Sequence, residues 1–376
     1  MPAAVRSPAE AEDIAASLAQ LMGCWAGILG TSPLHVFWDL FCILCRRQSA
    51  ILIVGEIYPI ALWGIERAAA LGVPVARVAV HDPERVSRCA QAWSRRGIRP
   101  ITVTDGISFP AGRVAPLGLY ARIAAANGGL LVIDDTQAVG ILGSGPTACS
   151  PYGRGGGGSF RFHGLAGPHL FGVCSLAKAF AVPVAVLAGS RPVVRMFATK
   201  SATRRHSSPP SMAVVAAAAR TIDLNRQCGE RLRAGLWDNI RRFRRALASA
   251  GLQPAGGLMP VQTLSFGPER EALSIHQGLT RAGIRALGSA RPGSERRTCT
   301  SRRHGQAPSN RPRSCSCGVR AAPAGFRQRP KQQCTGRPSP GAGDGSSARH
   351  MAHATPSQTD RVASPKPARS EPKRII

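Results

Sequence analysis

Residues 128–140 read GGLLVIDDTQAVG, and residues 171–180, some forty positions on, read FGVCSLAKAF. In the first stretch an unbroken apolar run leads into two acids, the pattern of a strand buried on both faces of a parallel sheet. Such a strand ends at Asp134, and ligands of open α/β sheets bind just beyond the carboxyl ends of the strands. The second stretch reads as another short strand, FGVCS, running into Ser175-x-x-Lys178, and a third strand, VAVLAGS, begins at Val184. A lysine alone is ordinary surface charge. One held between two buried strands, downstream of an acid at a strand end, is placed for chemistry.

That chemistry is specific. A lysine amine can hold a carbonyl cofactor as a Schiff base, and a buried carboxylate can keep a pyridine nitrogen protonated. Asp134 and Lys178 therefore satisfy what a pyridoxal 5'-phosphate site needs, and Thr136, Gln137 and Gly140 follow in the loop that would line it.

At LLVIDDTQAVGILGSGP, SLAKAF and AVLAGSRPVVRMF the chain resembles the α-oxoamine synthases of the class I/II aminotransferase-like enzymes, the group that includes 8-amino-7-oxononanoate synthase and glycine C-acetyltransferase. The likeness runs from about residue 14 to 286 and is strongest over 103–197. It implies fold type I of the pyridoxal phosphate-dependent transferases, an α/β fold. The large domain (1–225) would carry a mostly parallel sheet, followed by an incomplete small α+β domain (226–286).

The resemblance also assigns roles. Lys178 matches the cofactor lysine and Asp134 the acid facing the pyridine nitrogen. Ser175 matches a phosphate-binding hydroxyl, and Thr31 and Ser32 in GILGTSPLH match the turn that cradles the phosphate. A small polar turn opening a helix can do this with its amides, although the same turn is also an ordinary helix cap. Asp105, in VTDGISFPAGRVAPL, takes the place of a family acid.

Departures carry information too. Gln137 stands where the family has His; an amide can donate to the cofactor's ring oxygen but cannot act as an acid or base. Tyr58 stands where the family has a ring-stacking His, and a tyrosine can stack. Gly-rich text after the lysine is replaced by AVPVAV, with Pro183. For the phosphate hydroxyl lent by a partner subunit, Ser207 and Ser208 are the nearby candidates.

Both ends are expected to be incomplete. A glycine- and serine-rich N-terminal arm is not seen before the helix AEDIAASLAQLMG. RLRAGLWDNIRRFRRALASAGLQP has a helical rhythm, VQTLSF reads as a strand and EALSIHQGLTRAGI as a helix. From Leu287 to Ile376 the apolar pattern stops, and 18 Lys or Arg stand against 4 Asp or Glu, an excess of 14. Such a tail cannot bury enough apolar surface to offset its ordering entropy, so it is expected to be disordered. It begins where the family supplies its last strands and a substrate-carboxylate arginine. The expected origin of the switch is a change of reading frame near Leu287 to Thr298, and Arg296 and Arg297 are not read as that arginine.

The formal charge of +29 would ordinarily point to nucleic acid, but about half of it lies in the tail, which lacks the aromatics of a stacking surface. Specific nucleic-acid binding is not expected, nor is a membrane-spanning segment or a metal site. Eleven cysteines are irregularly spread. The single C-x-x-C, Cys42 and Cys45, sits in the apolar stretch VFWDLFCILC and reads as core packing, while Cys315 and Cys317 have the wrong spacing for zinc. GRGGGGS at 153–159 lacks the lysine of a phosphate-binding loop and reads as a flexible loop, followed by His163.

No secretory core is seen, so the expected compartment is the cytoplasm. The functions that follow from the resemblance are decarboxylating condensation of an amino acid with an acyl-CoA, transamination with the same constellation, or cofactor binding by an inactive remnant. A homodimer is implied in each case.

Overall fold

The structure, a computed structural model, describes residue 2 and residues 8–45, 48–78, 82–108, 112–266 and 269–287. The tail expected to be disordered, with Arg296, Arg297, Cys315 and Cys317, lies outside the described residues from 288 onward.

Residues 1–265 form one compact unit. Its chain order is α1 (Ala9–Met22), β1 (Ala26–Gly30), α2 (Pro33–Leu44), β2 (Ser49–Val54), α3 (Pro59–Ala70), β3 (Val75–Val78), α4 (Pro83–Ser94) and β4 (Arg99–Asp105). A small hairpin, β5 (Ile107–Ser108) and β6 (Arg113–Val114), comes next, then α5 (Leu117–Ala126) and β7 (Leu130–Asp134). The rest are α6 (Ser159–Phe162), β8 (Leu170–Ser175), β9 (Ala185–Gly189), α7 (Arg191–Lys200), α8 (Ala202–His206) and the long α9 (Met212–Ser249). Residue 225, where the large domain was expected to end, falls inside α9.

Seven strands form one sheet in the order β1-β9-β8-β7-β4-β2-β3. The pairs β2–β3, β2–β4, β4–β7 and β7–β8 are parallel, while β9 runs antiparallel to both β8 and β1. The sheet is thus mostly parallel, as expected. Its inner strands are buried, β2, β7 and β9 completely so, because helices cover both faces, whereas the edge strand β3 is largely exposed. Alternation divides the side chains: Ile51, Ile53, Leu130 and Val132 pack with Phe37, Phe41, Ile65 and Phe197 of α2, α3 and α7. Leu52, Leu131 and Ile133 point the other way, onto Val86, Trp93, Leu117 and Tyr120 of α4 and α5. α1 and α9 cover β8 and β9 through Leu18, Met22, Val215 and Ile222.

Local chemistry sets the ends of these elements. Ser32 caps α2 with Pro33 in the first turn, and α1 stops at Gly23, held left-handed at φ 83°. Cys42 and Cys45 lie at the end of α2, where burial pushes the Cys45 thiol up to about 12 and keeps it protonated. Among the described residues, no helix is long and apolar enough to cross a membrane.

Two expectations are corrected. VQTLSF is not a strand: only Thr263 pairs, in an isolated bridge with Ala255. A strand needs neighbours to satisfy its backbone, and this segment meets one residue. The glycine loop is not a loose connection either. Arg154 bridges Ser144, Gly157 bridges Val139, and the Gly158 amide donates to the Leu142 carbonyl at 2.7 Å. Positive φ at Gly153, Gly155, Gly156 and Gly158 lets backbone pack on backbone here, so the glycines serve close approach rather than mobility.

In the second unit, beginning at Phe266, α10 (Glu269–Arg281) forms as expected, and His276 Nε2 shares a 3.0 Å hydrogen bond with the Ala286 carbonyl.

Candidate active site

Strand register gathers the candidate residues at one rim of the sheet. Gly30 is level with Ala185 and Ala185 with Ser175, while Asp134 is level with Asp105 on β4. The carboxyl ends of β1, β2, β4, β7 and β8 therefore deliver Thr31 and Ser32, Tyr58, Asp105, Asp134, and Ser175 with Lys178.

Asp134 is 6% exposed. Its Oδ1 accepts the Thr136 backbone N–H at 3.1 Å, and the Thr136 hydroxyl accepts the Ser175 N–H at 3.0 Å. This chain of bonds ties the end of β7 to the end of β8, next to the turn that carries Lys178. Burial raises the Asp134 carboxyl, opposed first by its hydrogen bonds with Thr136 and then by the charge of Lys178. Lys178 is exposed, on a turn closed by Val182 N–H to the Leu176 carbonyl at 3.1 Å and Leu176 N–H to the Val184 carbonyl at 2.8 Å. The Ser175 hydroxyl accepts the Ala177 N–H at 3.4 Å, and Gln137 is half-buried in the turn after β7.

Asp105 lies directly beside Asp134. Burial and then the neighbouring Asp134 push it up to about 8, opposed by the Tyr58 N–H, which donates to its Oδ1 at 3.4 Å. The Tyr58 ring, 39% exposed, stands at the entrance to α3. Two carboxyls side by side in a buried rim favour holding a proton between them.

Thr31 and Ser32 are one strand away from Ser175, across β9. The Ser32 hydroxyl caps α2, accepting the His35 N–H at 3.5 Å, and it shares a 2.8 Å hydrogen bond with His35 Nδ1. Ser207 and Ser208 line the same small cleft as Thr31 and His35 within this chain. They follow the C-terminal end of α8, whose start is held against α2. Buried Asp39 on α2 accepts from Ser201 Oγ at 2.6 Å and from Thr203 N and Oγ1, each at 2.8 Å. Ser207 Oγ itself donates to the Thr203 carbonyl at 2.6 Å.

Three residues of this region had no assigned role in the sequence reading. Thr136, the link between Asp134 and Ser175, had only its position after the acid as a signal. Asp135 turns to the opposite side of the strand end, where its carboxylate accepts the Ser159 N–H at 3.0 and 3.3 Å; burial pushes it up to about 7. His35 had no signal beyond its spacing from Ser32.

The residues present fit pyridoxal phosphate by the chemistry of the donor set. An exposed amine stands by a buried carboxyl that makes no ion pair within 4 Å among the described residues, and hydroxyls and a helix N-terminus lie at the same rim.

Comparison with known proteins agrees. The sequence pattern of the family described as aminotransferase class I and II matches residues 40–299. The 8-amino-7-oxononanoate synthase of Halorhodospira halophila is 35% identical over 191 residues, covering 49% of this chain and 44% of that one. The 8-amino-7-oxononanoate synthase of Symbiobacterium thermophilum is 27% identical over 211 residues, covering 56% and 51%. The chain spans about half the length of these curated relatives. Among solved structures, Sphingomonas wittichii serine palmitoyltransferase superposes with a TM-score of 0.63 at 19% identity, over 76% of this chain and 68% of that one. The 8-amino-7-oxononanoate synthase of Francisella tularensis gives 0.60 at 17%, over 74% and 77%. At these identities the structures establish a shared fold, and the family match establishes kinship. This chain belongs to the aminotransferase class I and II family.

Proposed function

We propose that this chain is a pyridoxal phosphate-dependent transferase of the α-oxoamine synthase kind, condensing an amino acid with an acyl-CoA thioester. The observation that carries the reading is the shared rim: a strand-end carboxyl without an ionic partner among the described residues, tied through Thr136 to the strand whose following turn bears Lys178.

When bound, pyridoxal phosphate supplies an electron sink for a substrate carbanion. Asp134 binds the ring nitrogen: a protonated pyridine brings the cation that makes its buried carboxylate favourable. Lys178 would anchor the cofactor aldehyde, and its amine would carry a proton to and from the substrate's α-carbon. Gln137 would donate a hydrogen bond to the ring oxygen. Tyr58 covers the ring face and excludes water. Ser175, Thr31 and the amides opening α2 around Ser32 bind the phosphate, with Ser207 or Ser208 adding a hydroxyl.

In this reading residues 1–225 are the cofactor-binding part and 226–286 a partial small domain, with α9 running across the boundary. The working form is a homodimer in the cytoplasm. Transamination uses the same residues and is favoured by the breadth of the family match.

The test is the visible absorbance of the purified chain with pyridoxal phosphate, beside Lys178→Ala. A yellow band is expected in the parent and not in the variant, and borohydride should bleach it while fixing the cofactor covalently to Lys178, with no change in fold in the variant because Lys178 is exposed. Coenzyme A release on adding amino acid and acyl-CoA marks the synthase, and a 2-oxo acid marks the aminotransferase. A folded parent with no band refutes both.

A further inference from the structure

Among the described residues Arg233 is the one buried cation, and the proposed site does not use it. It lies on α9 and is 5% exposed. Its Nη1 donates to Asn225 Oδ1 at 2.7 Å and to the Gly140 carbonyl at 3.2 Å, and its Nη2 donates to Glu230 Oε1 at 2.8 Å. The acceptors are themselves fixed. Glu230 Oε1 also takes the Gly155 N–H at 2.8 Å, and Asn225 Nδ2 donates to the Gly155 carbonyl at 3.0 Å. Gly140 donates its own N–H to the Gly156 carbonyl at 2.7 Å.

Space for the guanidinium is made by glycines. A Cβ on Gly156 would lie 2.5 Å from Nη1, and one on Gly229 would lie 2.8 Å from Nη2. A planar fork reaching three acceptors at once is a task for arginine and not for the point charge of lysine.

The carbonyl that Arg233 holds belongs to the loop running on from Asp134. Gly140 has φ 89°, and a Cβ there would stand 2.5 Å from the Cβ of Ala179 and 3.2 Å from the Phe180 ring. Ala179 and Phe180 directly follow Lys178. Val139 and Phe180 also share one buried apolar cluster. The loop after β7 is therefore the wall on which the Lys178 turn rests, and Arg233 holds that wall in place from the far side.

We infer that Arg233 is a positioning residue for Lys178, acting through Gly140 without touching the lysine. The inference rests on the reading of Lys178 as the cofactor lysine. It also assigns the glycine turn at 153–158 a purpose: that turn supplies the backbone groups which orient Asn225 and Glu230.

Hydrogen exchange of the full chain, read by mass spectrometry on the parent and on Arg233→Lys, tests it. Local opening of the wall and the turn is expected to speed exchange about tenfold in peptides covering 136–142 and 176–182, while peptides of β2 and β4 keep the parental rate. Borohydride trapping of pyridoxal phosphate on Lys178 should fall about tenfold at matched cofactor concentration, as a displaced amine requires. A merely structural role for Arg233 would instead speed exchange equally throughout, or along α9 alone, and either pattern overturns the inference. Where Arg233→Lys does not fold, Asn225→Ala, which takes away one of the guanidinium's acceptors, is expected to give about a threefold change in the same two peptides. No change in the folded Asn225→Ala protein overturns it. A parent that traps no cofactor refutes the proposed function itself, whereas a parent that traps it as efficiently as Arg233→Lys refutes this inference alone.

Discussion

Replacing Asp105 by Asn perturbs the electrostatics of the rim with almost no change of shape. In the folded chain burial and the adjacent Asp134 push the Asp105 carboxyl up to about 8, while an unfolded aspartate titrates near its ordinary value of 3.8. Between those limits the folded state holds a proton that the unfolded state has lost, so stability is greatest at low pH and falls as pH rises through the window. One such proton gives a slope of about 1.4 kcal/mol per pH unit, or about 3 kcal/mol between pH 5 and pH 7. Asparagine carries no proton to lose, and its carbonyl can still accept the Tyr58 N–H. The variant is therefore expected to match the parent near and below pH 4, to lead it already at pH 5 and to be clearly the more stable protein at pH 7. Urea unfolding at pH 5, 6 and 7, followed by circular dichroism with the denaturant slope held common, measures this directly. Parallel stability curves for the two proteins would show that Asp105 titrates alike in both states, and the account of the rim would fail. The gain at neutral pH is stability that this chain forgoes by keeping paired acids at a strand end.

Other parts of the structure give simpler expectations. Ala181, just after the Lys178 turn, is the non-glycine residue of positive φ among the described residues, at 54°, and its side chain is exposed. Left-handed backbone costs an L-residue about 1 kcal/mol and glycine's extra unfolded-state freedom offsets part of the relief, so Ala181→Gly should stabilise by about 0.5 kcal/mol. A thermal midpoint that stays put or falls contradicts this. Gly64 on α3 sits against α2 so closely that a Cβ would collide with the Phe37 carbonyl oxygen. Gly64→Ala is expected to cost about 1–3 kcal/mol by overpacking, read as a lower urea midpoint, and a neutral result would mean that the two helices are free to part.

Some of this architecture was legible in the residues. The apolar runs LLVID and FGVCS have the length and composition of buried strands, and they became neighbouring central strands of the sheet. Asp134 and Lys178 could be singled out because each sits where a strand stops, and strand ends of a parallel sheet share one rim. VQTLSF misled for the complementary reason. Its composition suits a strand, but a strand exists only with partners, and composition does not say whether partners are present. The glycines of 153–158 misled as well, since the same residue serves mobility or close packing according to what lies opposite.

By itself, then, the sequence marked β7, β8 and β9 and the acid and lysine at or just past their ends, because an apolar run bounded by polar residues is a local pattern. Asp134 was already marked in the sequence, but what holds each acid was decided only by tertiary structure: alternation at the strand end gives Asp134 to Thr136 and Lys178, and Asp135 to Ser159. Tertiary structure alone brought Asp105 level with Asp134, 29 positions away in sequence, and raised its proton affinity by removing water from both. It also chose Arg233 out of 49 basic residues, because a charge acquires a task when burial deprives it of solvent and particular acceptors replace the water.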